Sequence, residues 1–214
     1  MVYPETSAKA GAVVVIHEIF GLTDWARAVA DQLAEDGFIA LAPDLLSGLG
    51  PNGGGTDSLG DQVTKTIRSL SPEAVATRLD VVRAYALGLP AANGKVAGVG
   101  FCWGGSMSFA WAAAQPKLDA AVVYYGSAPS DPAAYARIAA PVAGFYGGDD
   151  ERVNATIPAA EAEMKKLGKS FTATVYEGAG HGFLRQQALR DGANRRASEK
   201  AWEATLRMLR ERLK

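Results

Sequence analysis

Along the chain, short apolar runs of strand length alternate with longer stretches whose apolar positions recur at helical spacing. Six runs read as strands: Ala12 to His17, Phe38 to Ala42, Val96 to Gly100, Ala120 to Tyr124, Val142 to Tyr146 and Phe171 to Tyr176. They are continuous Val-, Ala- and Ile-rich segments rather than alternating ones, the pattern of strands covered on both faces. Between them the spacing predicts helices over Asp24 to Asp36, Pro72 to Leu87, Trp103 to Ala114, Ile157 to Leu167 and Asn194 to Leu213. Ser71 before Pro72 offers a capping hydroxyl followed by proline at the first helical position, where its missing N–H costs nothing. In the last helix Trp202, Leu206, Leu209 and Leu213 share one face and charges take the rest, so it covers a sheet rather than serving nucleic acid or membrane. This alternation predicts an α/β fold with a mostly parallel, doubly wound sheet flanked by helices. One segment breaks the rhythm. Ser47 to Gly60, SGLGPNGGGTDSLG, reads as a loop, either a solvated connector or a lid on the ligand side of the sheet.

Composition narrows the function classes. A length of 214 residues suits one domain, 1–214, with a core sufficient without disulfides or metals. Hydrophobic residues make up 48% and charged residues 21%, and 22 basic against 23 acidic residues leave a net charge of -1. No field of that size draws nucleic acid or an anionic membrane. One cysteine forms no intramolecular disulfide, and one cysteine with two histidines is a poor zinc set, so no metal is expected. No Gly-x-x-x-x-Gly-Lys loop is present, and Gly53-Gly54-Gly55 opens no dinucleotide fingerprint, so no cofactor is expected either. No run approaches the ~20 apolar residues of a membrane span, and the N-terminal MVYPETSAKAG lacks the apolar centre of a signal peptide. A cytoplasmic protein is the expectation, although a chain that had shed a leader reads the same. A monomer is expected, with a homodimer as the alternative.

The chemistry concentrates in three places. Gly100-Phe101-Cys102-Trp103-Gly104 follows a strand and opens a helix, with Cys102 where the serine of a Gly-x-Ser-x-Gly nucleophile elbow stands. Such a turn crowds residues two positions to either side, which glycine relieves. The helix N-terminus beyond it favours thiolate over thiol. A lone buried structural cysteine is the competing reading, and the glycine frame argues against it. The nucleophile needs a base, and His181, in the glycine-rich EGAGHGF after the last strand, is the candidate; His17 ends the first strand, where a core or supporting role fits better. The orienting acid should lie between them in the chain. Gly147-Gly148-Asp149-Asp150 follows a strand, and the residues alone leave Asp149 and Asp150 even. The four tryptophans and Tyr124-Tyr125 read as packing, Trp103 excepted because the elbow fixes it at the site.

Taken together, His17-Glu18-Ile19-Phe20-Gly21, Ala42-Pro43-Asp44-Leu45, Gly100-Phe101-Cys102-Trp103-Gly104-Gly105, Tyr146-Gly147-Gly148-Asp149-Asp150 and His181-Gly182-Phe183 resemble the dienelactone hydrolase family, cysteine-nucleophile members of the α/β-hydrolase fold. The resemblance runs from about Ala12 to the C-terminus. It implies Cys102 as nucleophile, His181 as base and Asp150, over Asp149, as acid. It implies that Glu18 hydrogen-bonds the resting thiol and helps ionise it when substrate arrives. It assigns the oxyanion hole to the N–H groups of Ile19 and Trp103, and to Arg185 a pairing with Glu18 and contact with a substrate carboxylate. Three features depart from the family. Few residues precede the first strand, so either the chain is trimmed or the sheet lacks N-terminal edge strands; Gly182 stands where serine is common; and a second substrate-binding arginine falls to Arg68, Arg78 or neither. The expected function is hydrolysis of a small lactone or short ester through an acyl-thioester. A catalytically silent small-molecule binder is the alternative, and a metal-activated water a weaker third.

Overall fold

In the computed structural model of the protein, which describes residues 1–5 and 8–214, six parallel strands form one sheet. They are β1 (Ala10–Ile16), β2 (Ile39–Leu41), β3 (Ala92–Phe101), β4 (Ala120–Tyr124), β5 (Val142–Gly147) and β6 (Phe171–Tyr176), in the spatial order β2-β1-β3-β4-β5-β6. The helices are α1 (Asp24–Glu35), α2 (Thr56–Leu59), α3 (Val63–Ser69), α4 (Pro72–Leu87), α5 (Trp103–Ala114), α6 (Pro132–Arg137), α7 (Glu151–Asn154), α8 (Ile157–Lys166) and α9 (Ala193–Arg212). The pattern predicts this parallel sheet flanked by helices, and the resemblance implies its α/β-hydrolase form.

Both faces of the sheet are dry from β2 across to β5, the start of β3 apart, which explains the unbroken apolar strands there, whereas Thr172 and Val175 of the edge strand β6 are exposed. Val14, Ile16, Val96, Ala121 and Val123 pack towards Leu79 of α4 and Phe109 and Trp111 of α5. Val13, Val15, Val99, Phe101, Val122 and Tyr124 pack towards Val29 and Leu33 of α1 and Leu206 and Leu209 of α9. Burying a side chain of this size stabilises by roughly 1.5–3 kcal/mol, so the sheet centre is the rigid part to which the site is attached. The strand order reverses at β1: β2 lies on one side and β3 on the other. The crevice outside the carboxyl ends of β1 and β3 is where ligands bind in such sheets. Ile16 pairs with Gly100 there, setting His17-Glu18 beside Phe101-Cys102.

Several boundaries differ from expectation. β3 begins at Ala92 rather than Val96, because Ala92 pairs with Ala10 although Asn93-Gly94-Lys95 reads as polar. Segment Ser47 to Gly60, expected to be a loop, holds a 3-10 turn at Pro51–Gly53 and helix α2. The cause is distant in sequence: the Asp44 carboxylate accepts from the Thr56 N–H (2.7 Å) and hydroxyl (2.8 Å) and so starts α2. Helices α3, α6 and α7 are too short to carry a readable apolar period. Among the described residues no strand precedes β1; in its place Val2 forms an isolated antiparallel bridge with Ala40 on the β2 edge. No helix among the described residues is long and apolar enough to cross a membrane.

Candidate active site

Cys102 occupies the bend between β3 and α5 with φ 55° and ψ -116°, a left-handed conformation that costs a non-glycine residue about 1–3 kcal/mol. Its N–H bonds the Tyr124 carbonyl at 3.0 Å, and the following turn is closed by Ser106 N–H on the Cys102 carbonyl. The flanking glycines are required by contact. A Cβ on Gly100 would lie 1.9 Å from the Gly104 carbonyl oxygen, and one on Gly104 only 2.2 Å from that of Ile16. The elbow can therefore press against the end of β1. The sulfur is left half-buried.

His181 arrives on the loop after β6. Its Nε2 lies 3.1 Å from Cys102 Sγ and its Nδ1 2.5 Å from Asp150 Oδ2. Asp150 follows β5 and is only 8% exposed, so its charge faces the imidazole with little solvent screening. The loop is fixed from α9: Asn194 Oδ1 accepts from Gly180 N–H (2.9 Å), Asn194 Nδ2 donates to the Gln186 carbonyl (2.8 Å), and Ser198 Oγ donates to that of Phe183 (3.1 Å). Tyr125 meets the imidazole edge-on at 5.2 Å between centroids. His181 is pushed up to about 9, first by its hydrogen bond to the sulfur and then by Asp150, against the opposing pull of burial. Asp149 turns the other way, with a half-exposed side chain paired to Arg190. Of the two aspartates that sequence left even, Asp150 is the one on the histidine.

The remaining expected residues gather at the end of β1. Glu18 is 4% exposed and its Oε2 accepts from Arg185 Nε at 2.6 Å. Burial raises its carboxyl above the usual range and the Arg185 guanidinium pulls it back. Among the described residues no hydrogen bond joins Glu18 to Cys102. Of the two Glu18 contacts that the resemblance implies, the Arg185 pair is present, while the sulfur faces His181. Arg185 lies over the exposed ring of Phe20, 5.2 Å from its centroid. Ile19, half-buried, follows Glu18, and Trp103 opens α5, where a first-turn N–H has no partner inside its own helix. His17 is fully buried and its ring stacks on that of Trp103. Arg78 donates to the Ser47 carbonyl (2.8 Å), which ties down the glycine-rich segment rather than facing the triad. The supports of the histidine loop, Asn194 and Ser198, escaped sequence reasoning because a polar residue on an amphipathic helix reads as solvated. Tyr125, read as packing, is fully buried with φ 40° and touches His181. A positive φ leaves no mark in the sequence of a tyrosine.

A strained cysteine, a base within hydrogen-bond reach and an acid on the base's far nitrogen have the geometry that nucleophilic acyl transfer requires. The model of the dienelactone hydrolase family matches residues 1–213. The chain belongs to this family. It is 34% identical over 183 residues to a Methylorubrum extorquens protein named "Putative carboxymethylenebutenolidase", covering 80% of this chain and 62% of that one. Carboxymethylenebutenolidase 1 of Cupriavidus pinatubonensis is 36% identical over 124 residues, 56% of this chain and 53% of the relative. The chain thus spans less than two thirds of either relative. Among solved structures, dienelactone hydrolase from Anabaena variabilis superposes with a TM-score of 0.73 at 22% identity, covering 99% of this chain and 90% of that one, which shows the shared fold.

Proposed function

We propose that this protein hydrolyses small lactones or short-chain carboxylic esters, in the manner of a dienelactone hydrolase or carboxymethylenebutenolidase, through a Cys102–His181–Asp150 triad and an acyl-thioester. The observation that carries the reading is the unbroken relay from Sγ through the imidazole to Asp150, at 3.1 and 2.5 Å. His181, raised to about 9 by its hydrogen bond to the sulfur and by Asp150, takes the Cys102 proton and holds it while the thiolate attacks.

In acylation the thiolate forms a bond to the carbonyl carbon, and the carbonyl π pair moves to oxygen. That oxyanion is held by the N–H groups of Ile19 and Trp103, one from each loop of the crevice. When the C=O bond re-forms, the C–O ester bond breaks and the leaving oxygen takes the proton from His181 Nε2. In a lactone the departing hydroxyl stays on the acyl chain. Neutral His181 then removes a proton from water as the water attacks the thioester. Collapse of the second oxyanion expels the thiolate and frees the acid, restoring imidazolium. Asp150 keeps Nδ1 protonated throughout, so that Nε2 faces the sulfur. Glu18, paired with Arg185, supplies negative charge beside this centre, and Arg185 at the rim meets a substrate carboxylate.

An activity screen of small lactones against short-chain p-nitrophenyl esters tests the reading, with Cys102→Ala and Cys102→Ser beside wild type. The expected result is turnover by wild type, none by the alanine variant and a rate at least about a hundredfold lower for serine, whose hydroxyl is far less acidic than a thiol and is poorly activated in a site built for one. Equal rates in wild type and Cys102→Ala sink the mechanism.

A further inference from the structure

We infer that His17 and the Asp44–Thr56 segment form a brace that aims the Ile19 N–H into the oxyanion site, so that the glycine-rich stretch serves catalysis by holding a turn. The inference deepens the proposed function and rests on its assignment of Ile19 as an oxyanion donor.

The turn runs from Glu18 to Leu22 and is held at both ends by one short segment. At its start, His17 Nδ1 lies 2.9 Å from the Glu18 carbonyl oxygen and Nε2 lies 3.2 Å from the Leu45 nitrogen. A carbonyl only accepts and a backbone N–H only donates, so Nδ1 carries the proton and Nε2 does not. The ring is neutral, with one tautomer and both nitrogens used. Its burial opposes any second proton. The Glu18 carbonyl takes a second donor, Gly21 N–H, at 3.2 Å.

A trans peptide is planar, with its C=O and N–H directed to opposite sides. The peptide joining Glu18 to Ile19 therefore cannot turn its N–H without breaking two hydrogen bonds on its carbonyl. Fixing the carbonyl fixes the donor.

At the far end, Thr56 Oγ1 accepts from Leu22 N–H at 3.0 Å and donates to Asp44 Oδ1 at 2.8 Å, while Thr56 N–H donates to Asp44 Oδ2 at 2.7 Å. Asp44 and Leu45 are consecutive, so the two ends of the turn are tied to the same two residues. The fit is close: a Cβ on Gly21, whose φ is +76°, would meet Thr56 Oγ1 at 2.4 Å. His17 also stacks on the Trp103 side chain, ring centroids 5.7 Å apart and planes 22° apart, so one buried ring packs against both residues whose backbone flanks the oxyanion site. The Glu18 carboxylate is held separately, by Arg185. Loosening the brace is thus expected to blunt the oxyanion site without disarming the thiolate.

Two readouts separate these effects. Ester turnover needs an oxyanion site, whereas alkylation of Cys102 by iodoacetamide is a displacement at saturated carbon and needs only the thiolate. For His17→Ala and Thr56→Val the expected result is a kcat lower by roughly 10- to 100-fold, a part of what removing one oxyanion donor costs. KM and the alkylation rate should stay within about threefold of wild type, since neither depends on the aim of that donor. His17→Gln and Thr56→Ser keep a donor and an acceptor in place and should recover most of kcat. If His17→Ala does not fold, Thr56→Val carries the test, since Thr56 lies in a half-exposed surface segment. The brace is overturned by unchanged kcat in Thr56→Val, by alkylation falling in step with kcat, or by a glutamine variant no better than alanine. Absence of Cys102-dependent turnover in wild type is the distinct failure of the proposed function, and it removes the brace as well.

Discussion

Replacing Asp150 by asparagine keeps the side chain's shape and removes its charge, and the adjacent Asp149 offers an internal control. Asp150 is 8% exposed and lies 2.5 Å from His181 Nδ1, so its bond to the imidazole is charge-assisted and barely screened. Bonds of that kind contribute about 1.5–3 kcal/mol. At 1.36 kcal/mol per decade of rate, losing it lowers kcat/KM by roughly 10- to 150-fold. An amide that presents its NH2 to Nδ1 also favours the wrong tautomer, which pushes the loss towards the upper end. Asp149 differs in every respect, its side chain being 46% exposed and paired with an Arg190 side chain that is 48% exposed. Exposed pairs contribute about 0–1 kcal/mol, so Asp149→Asn should stay within about fivefold of wild type. The assay is p-nitrophenyl ester hydrolysis together with iodoacetamide alkylation at pH 7. Alkylation should also slow in Asp150→Asn, because His181 loses one of the two contacts that hold its proton. Equal losses in the two variants, or a larger loss in Asp149→Asn, refute the assignment of the acid.

Asn194→Ala removes the anchors at Gly180 N–H and the Gln186 carbonyl; a loss of about 1–3 kcal/mol in urea unfolding is expected, with kcat reduced while alkylation still occurs. His181 is held above its ordinary 6.5, at about 9, so the stability it contributes is complete below about pH 6.5 and lost as pH rises through about 9. Urea midpoints for wild type should therefore fall across that window more steeply than those of His181→Gln, and parallel curves rule the linkage out.

The architecture was legible because burial on both sheet faces writes continuous apolar strands, and long helices write their period. β4 and β6 match their predicted spans residue for residue. The elbow was legible because backbone crowding forbids a Cβ at Gly100 and Gly104, so the steric requirement appears as letters. What stayed hidden depends on contacts across the chain. Asp44 starts a helix at Thr56 twelve positions away, and nothing in TDSL announces it. The even choice between Asp149 and Asp150 turned on which side of the β5 bend each faces, a difference that composition does not carry. The resemblance gave Glu18 two partners, the resting thiol and Arg185; the hydrogen bond to Arg185, 167 positions away, is present, and none to Cys102 is found among the described residues.

The central claim is that the acyl group rests on Cys102 during turnover. Rapid acid quench of wild type with p-nitrophenyl acetate, followed by peptide mass spectrometry, tests it directly. The account predicts an acetyl adduct on the peptide carrying Cys102 in wild type and none in Cys102→Ala. Turnover with no adduct on that peptide, or with the adduct on another residue, contradicts it.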